Sequence, residues 1–163
     1  MKLTAEEEQL FLKKIKPLST SLSVLKMKNY ISHGTKSTYD HCLDVAKMSF
    51  LLSRRLPVSI DENALLTGAL LHDYYLYDWH TDEPIHLNGF EKVWHFTKLH
   101  GFTHPHAAVK NANRDFTLSE KEKNIIESHM WPLTITTFPR SREAVLVGLA
   151  DKICAAKETI FSF

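Results

Sequence analysis

The chain has only two cysteines, Cys42 and Cys154, and no Cys-x-x-Cys pair in its 163 residues. That shortage excludes a secreted scaffold stapled by disulfides, and a zinc finger or ribbon, both of which need closely spaced thiols. The sequence His-Glu-x-x-His is also missing, which removes one metalloprotease helix from consideration. Long hydrophobic runs are absent: stretches such as Ala64 to Leu71 fall far below the roughly 20 residues that cross a bilayer. The N-terminus carries Glu6, Glu7 and Glu8 where a signal peptide would be apolar. Charge of one sign is equally scarce, since 20 Lys and Arg face 19 Asp and Glu for a net charge of +1. An extended nucleic-acid surface is therefore not expected, although a local basic pocket for one phosphate group is compatible with this balance. These absences predict a cytoplasmic protein with reduced thiols and no membrane partner.

What is present fits one compact domain. With 44% hydrophobic and 24% charged residues, the chain can bury a sizeable core as a single domain over 1–163. Its periodicity is helical almost throughout. Thr4 to Glu7 has capping-box form, and Phe11, Ile15 and Leu18 recur at helical spacing, which predicts a first helix ending near Pro17. Leu22 to Ile31 reads as a second helix that stops before His33-Gly34, and the segment 1–29 is expected to pack on the rest. Ser37 opens a third helix with the stripe His41, Val45, Met48 and Leu52. Ser59 to Glu62 reads as another capping box before an apolar helix ending at His72-Asp73. Tyr77 to Gly89 breaks the periodicity and reads as a loop beside the site, with Asp78, His80 and His86 as minor candidates. Helices are expected over Phe90 to Leu99 and Ala107 to Phe116, then from the capping box Ser119 to Glu122 up to His129. After an irregular connector, Leu133 to Arg140, a last helix follows Ser141 with Ala144, Val147, Asp151 and Cys154 on one stripe.

The polar residues on these apolar faces carry the chemistry. Gly68-Ala69-Leu70-Leu71-His72-Asp73 delivers an imidazole and a carboxylate to the end of a hydrophobic run. Burying both costs free energy unless they are satisfied, and a divalent cation satisfies both at once. His41 points where Val45 points, and a His-Asp pair on the next helix favours a ligand over a core histidine bonded to a carbonyl. Cys42 is rotated about 100° from His41 around the helix and is expected to pack rather than to ligate. Two neighbours on a straight helix diverge, so His72 and Asp73 can share a metal only if Asp73 bends inward. The segment His100-Gly101-Phe102-Thr103-His104-Pro105-His106 holds three more histidines, and Pro105 in a first helical turn would put His104 near an N-cap.

The ordered set His41, His72-Asp73, His104, His129 and Asp151 resembles the HD superfamily of metal-dependent phosphohydrolases. The resemblance covers about residues 30–158 and implies an all-α fold, a helical bundle with one or two metals in its centre. It implies that His41, His72, Asp73 and Asp151 bind one cation, and that Asp73 bridges to a second held by His104 and His129. Nitrogen and oxygen donors suit Fe, Mn, Ni, Co or Zn without choosing among them. Two departures stand out. The family often places a lysine three positions after the Asp, where this chain has Leu76, and the Gly-Tyr-Pro signature of the cyclic-dinucleotide branch is absent.

The implied reaction is hydrolysis of a small phosphoester or nucleotide by a metal-activated water, with Asp73 at the reacting centre. Lys152 either pairs with Asp151 or reaches a substrate phosphate, and Arg140 and Arg142 are further phosphate contacts. His33 and His100 are the two candidates for the proton donor. Two other classes stay open: a di-iron oxygenase on the same fold, and a metal-bound regulatory or binding module without turnover.

Overall fold

The structure, a computed structural model, describes residues 2–32, 35–77 and 100–160, with the side chains of 100–102 excepted. The described residues are all-helical apart from one isolated β-bridge, Ile31 to Ser37. Seven α-helices are described: α1 (Ala5–Ser19), α2 (Leu22–Leu25), α3 (Thr38–Arg55), α4 (Glu62–Leu71), α5 (His100–Asp115), α6 (Glu120–Ser128) and α7 (Arg142–Ile160). The expected loop from Tyr77 to Gly89 (Tyr77 itself apart) and the helix from Phe90 to Leu99 lie outside the described residues.

Local sequence sets most of the boundaries. Thr4 and Glu7 form the reciprocal capping box of α1, and Ser119 and Glu122 form that of α6. Ser37 caps α3 by accepting the Asp40 N–H. Four expectations need correction. The helix α1 runs past Pro17 to Ser19, because a proline in a last turn forfeits only one backbone bond. The expected helix from Leu22 to Ile31 is instead the short α2 and a 3-10 turn, Lys26–Asn29, before Tyr30 turns extended and its carbonyl accepts the Thr38 N–H at 2.8 Å. The cap of α4 is Asp61, which accepts the Ala64 N–H, and not Ser59. Finally, α5 begins at His100, so Pro105 and His104 lie inside it rather than at its start.

The short helix α4 is the hub. Ala64, Leu65, Leu66, Gly68, Ala69, Leu70 and Leu71 are all buried, so beyond its first turn the helix is covered almost all round. It packs on α3, α6, α7 and α1. Gly68 makes the α4–α6 approach possible, since a Cβ there would stand 2.5 Å from the Ile125 Cγ2. Phe11 and Ile15 of α1 complete the core, with Phe11 and Phe50 ring centroids 5.7 Å apart. The start of α3 meets the last turn of α7 through His41 and Glu158, and its own last turn meets the start of α4, so α3 runs antiparallel to both. No helix among the described residues is long and apolar enough to cross a membrane.

Candidate metal centre

The helices bring their ligand-type residues to one end of the bundle. His41 lies in the first turn of α3, while His72 is the C-cap of α4 and His129 the C-cap of α6. Asp151 projects from the middle of α7, and His104 from the second turn of α5. All of these, with Asp73, are buried. The α-helical ladder ends at Leu71, though His72 keeps helical dihedrals of φ −58° and ψ −34°, and in the turn 72–75 the Tyr74 N–H bonds the Leu71 carbonyl at 3.1 Å. In this turn the two sequence neighbours converge, and His72 Nε2 stands 3.5 Å from Asp73 Oδ2.

The donors fall into two sets joined at Asp73. On one side, His41 Nε2 and His72 Nε2 lie 3.1 and 3.6 Å from Asp151 Oδ1, and 3.9 and 3.5 Å from Asp73 Oδ2. On the other, His104 Nε2 and His129 Nε2 lie 3.2 and 3.5 Å from Asp73 Oδ1 and 2.8 Å from each other. Donors about 2.1 Å from one metal stand about 3–3.5 Å apart, so both sets have the spacing of a coordination shell. Within each of the groups His41, His72, Asp151 and Asp73, His104, His129, the ligand atoms lie within 4.8 Å of one another. His72 Nε2 and Asp73 Oδ1 are buried without a hydrogen-bond partner, a costly state that a cation would relieve. The residues present therefore fit one or two divalent cations.

Hydrogen bonds behind the rings aim them. His72 Nδ1–H donates to the Ala69 carbonyl at 2.7 Å and His129 Nδ1–H to the Ile126 carbonyl at 2.6 Å. A carbonyl only accepts, so both rings carry a proton on Nδ1 and turn Nε2 inward. His41 does the same with a side chain, its Nδ1 lying 2.9 Å from Glu158 Oε2. Gly148 makes room for the end of α6, since a Cβ there would lie 3.0 Å from the His129 carbonyl oxygen.

Protonation follows from this packing. Burial works against charge on His41, but its bonds to Asp151 and Glu158 outweigh that and push its pKa up to about 10. His72 is raised well above the ordinary imidazole value, burial being outweighed by the Cys42 sulfur, Asp73 and Asp151. Burial and repulsion from His72 and His104 drive His129 down to about 3. Burial would raise Asp73 and Asp151, yet the surrounding imidazoles hold both carboxyls well below their usual range. In the metal-free protein, protons on His41 and His72 thus balance carboxylates that a cation would otherwise balance.

The remaining sequence candidates lie elsewhere. Lys152 does not pair with Asp151; its ammonium donates to the carbonyls of His129 and Gly148 at 3.0 and 3.1 Å, tying α7 to the end of α6. Arg140 and Arg142 are exposed at the start of α7. Arg142 is about 13 Å along the helix from Asp151, because nine residues rise 1.5 Å each. His106 is exposed and pairs with Glu127. His33, Asp78, His80 and His86 lie outside the described residues, and His100 is described only as the first backbone position of α5. Two neighbours of the centre were not anticipated. Glu158 sits seven positions after Asp151, two helical turns on the same face, so its spacing was the available signal. Cys42 lies with His72 and Asp73 in a third group of ligand atoms within 4.8 Å, closer to the centre than a rotation of about 100° from His41 suggests.

A family model for the HD domain matches residues 38–156. The chain belongs to the HD-domain family. The matched span begins at α3 and ends within α7, so it contains every residue of the two donor sets. No curated protein and no solved structure matches the chain. Family membership brings a metal-dependent hydrolase superfamily, and divalent metals are what its members bind.

Proposed function

We propose that this HD-domain protein is a metal-dependent phosphohydrolase acting on a small phosphoester or nucleotide in the cytoplasm. One observation carries the reading: Asp73 turns its two oxygens to different sets of histidines, Oδ2 to His41 and His72, Oδ1 to His104 and His129. Both sets of residues could thus each help hold a cation, and when bound such cations would supply an acidified water and a clamp for the charge that develops in displacement at phosphorus. The chain's own residues hold everything else. Asp151 and Asp73 provide the anionic donors, and the three Nδ1 bonds fix the rings so that no reorientation is needed. The leaving oxygen needs a proton, for which the sequence offers His33 or His100. Both cysteines are buried free thiols, in keeping with a reducing compartment.

A reading without turnover has one observation behind it. Leu76 replaces the family's lysine, and the Lys152 ammonium is bonded to carbonyls. Leu76 then offers no cation to a substrate phosphate and Lys152 only its third N–H, which leaves most of the charge neutralisation to the metals. The di-iron oxygenase reading draws on the same Asp73 arrangement and separates from hydrolysis by its metal.

The test is elemental analysis of purified protein, then turnover of a panel of phosphomonoesters, phosphodiesters and nucleotides with Mn, Ni, Co, Fe or Zn. The control is the double variant His72→Ala, Asp73→Ala. Wild type should hold metal and release phosphate or a phosphomonoester, and the variant should do neither. Equal metal content and equal turnover in the two proteins would overturn the assignment. Metal without hydrolysis of any ester, but with dioxygen uptake by the iron form, would favour the oxygenase.

A further inference from the structure

Of the three imidazoles of the centre whose Nδ1 partner is defined, two lean on a carbonyl of their own helix, while His41 leans on a side chain from α7. That side chain, Glu158, has little exposed surface and is held at both oxygens. Oε2 accepts from His41 Nδ1 at 2.9 Å, and Oε1 accepts from Lys36 Nζ at 2.9 Å, with Lys36 also bound to Asp44. Glu158 and Lys36 also line a cavity of about 460 Å³. From this geometry we infer that Glu158 is a positioning residue of the metal centre. Its charge keeps the His41 proton on Nδ1, directs Nε2 toward Asp151 and makes the ring a stronger donor. The inference rests on the metal-centre reading above.

A carboxylate is suited to this in a way a carbonyl is not. A charged acceptor binds an N–H about twice as strongly as a neutral one, and it shifts electron density onto the far nitrogen. The lysine takes up the second oxygen and leaves the first to the ring. The competing account is that Glu158 merely ties the last turns of α7 to Lys36. The two accounts differ in what Glu158→Gln and Lys36→Met would do. Gln keeps the size and one accepting oxygen but loses the charge. Lys36→Met removes the tether and leaves the carboxylate on His41.

The experiment titrates Zn or Co into wild type, Glu158→Gln, Glu158→Ala, Glu158→Asp and Lys36→Met against a competing chelator. It also records nitrogen-15 histidine spectra of the zinc-loaded proteins. Affinity should fall about 10-fold in Glu158→Gln and up to about 100-fold in Glu158→Ala, the range seen when a partner of a ligating histidine is removed. Glu158→Asp should recover part of the loss, and Lys36→Met should stay within about threefold of wild type, a charge-shell change without loss of the acceptor. In zinc-loaded wild type the His41 Nδ1–H should resonate downfield and exchange slowly with solvent because the Glu158 carboxylate accepts it, and in Glu158→Ala both features should be lost. Wild-type affinity in Glu158→Gln, or an equal loss in Lys36→Met, would reduce Glu158 to a tether and overturn the inference. Should the Glu158 variants not fold, a zinc-loaded wild type whose His41 Nδ1–H shows neither feature would overturn it alone. A folded wild type that takes up no metal would overturn the centre itself, and the inference with it.

Discussion

Two ends of the same bundle gather charge, and they do so in opposite ways. At the end where α4, α6 and α7 begin, Glu62 pairs with Lys14 and Arg54, and Lys121 reaches Asp61. Those side chains are 23–47% exposed and carry opposite signs, so each charge has a partner and water besides. At the other end, where α4 and α6 finish, His41 and His72 are 0% exposed and Asp73 and Asp151 about a tenth. There the buried His72 Nε2 and Asp73 Oδ1 find no hydrogen-bond partner. The first end is a surface that closes helices; the second keeps polar atoms unsatisfied at a cost of about 1–3 kcal/mol for each. Folding alone gives no reason to accept that cost. A cation does.

The largest effect should come from the residue that serves both donor sets. Asp73→Asn should abolish uptake at either set, read as metal content near zero by elemental analysis. A metal at 100 times its dissociation constant stabilises the folded state by about 2.7 kcal/mol, or about 5–10 °C in melting temperature for a chain of this size. That increment should appear in wild type and vanish in Asp73→Asn. An increment that survives would place the cation outside the Asp73 cluster.

Next in size is the joint between the two ends. In an ordinary exposed helix, Gly→Ala stabilises by about 1 kcal/mol. At Gly68 the new methyl would meet Ile125 side-chain atoms at 2.5–3.0 Å, so Gly68→Ala should instead destabilise by about 1–3 kcal/mol. It should also push α4 from α6 and so weaken metal binding between His72 and His129. Adding Ile125→Val should restore part of both losses, as measured by denaturant midpoint and chelator competition. Glu143 tests the opposite end. It is buried, and it accepts the Asp61 N–H at 2.8 Å. Glu143→Ala should cost about 1–3 kcal/mol and leave metal affinity unchanged. If it lowers affinity as much as Gly68→Ala does, the two ends are not separable.

The contrast between the ends also governs what could be read from the sequence. The donor cluster was legible because its residues interrupt apolar patterns. Asp151 in the stripe of Ala144, Val147 and Cys154, and His72-Asp73 after Leu71, have no place in a core unless something binds them. Glu158 was missed because it lies near the chain end beside Lys157, where a charge reads as solvated, and only the folded contact with His41 gives it a role. Lys152 was readable as a residue but not as a direction, since its bond goes to the His129 carbonyl, a backbone atom with no sequence signature. The helix boundaries that moved did so for local reasons. Asp61 displaced Ser59 as the cap because α4 begins at Glu62, and Pro105 sits within α5 because one forfeited bond does not stop a helix.

The smallest effect concerns acid stability, away from both ends. Asp115 accepts from Arg114 and from the Tyr74 hydroxyl, which hold its pKa down to about 2 against an unfolded value near 3.8. A depressed carboxyl contributes stability that is present above the unfolded value and lost as pH falls toward the folded one, because the unfolded chain takes up the proton first. The contribution should be complete at pH 5 and gone below about pH 2. Since Arg114 is 60% exposed, water and salt screen the pair and its contribution should be small. Asp115→Asn should therefore shift the melting temperature slightly at neutral pH and flatten its decline between about pH 4 and pH 2 relative to wild type. Parallel declines in the two proteins would mean that the acid sensitivity resides in other carboxylates.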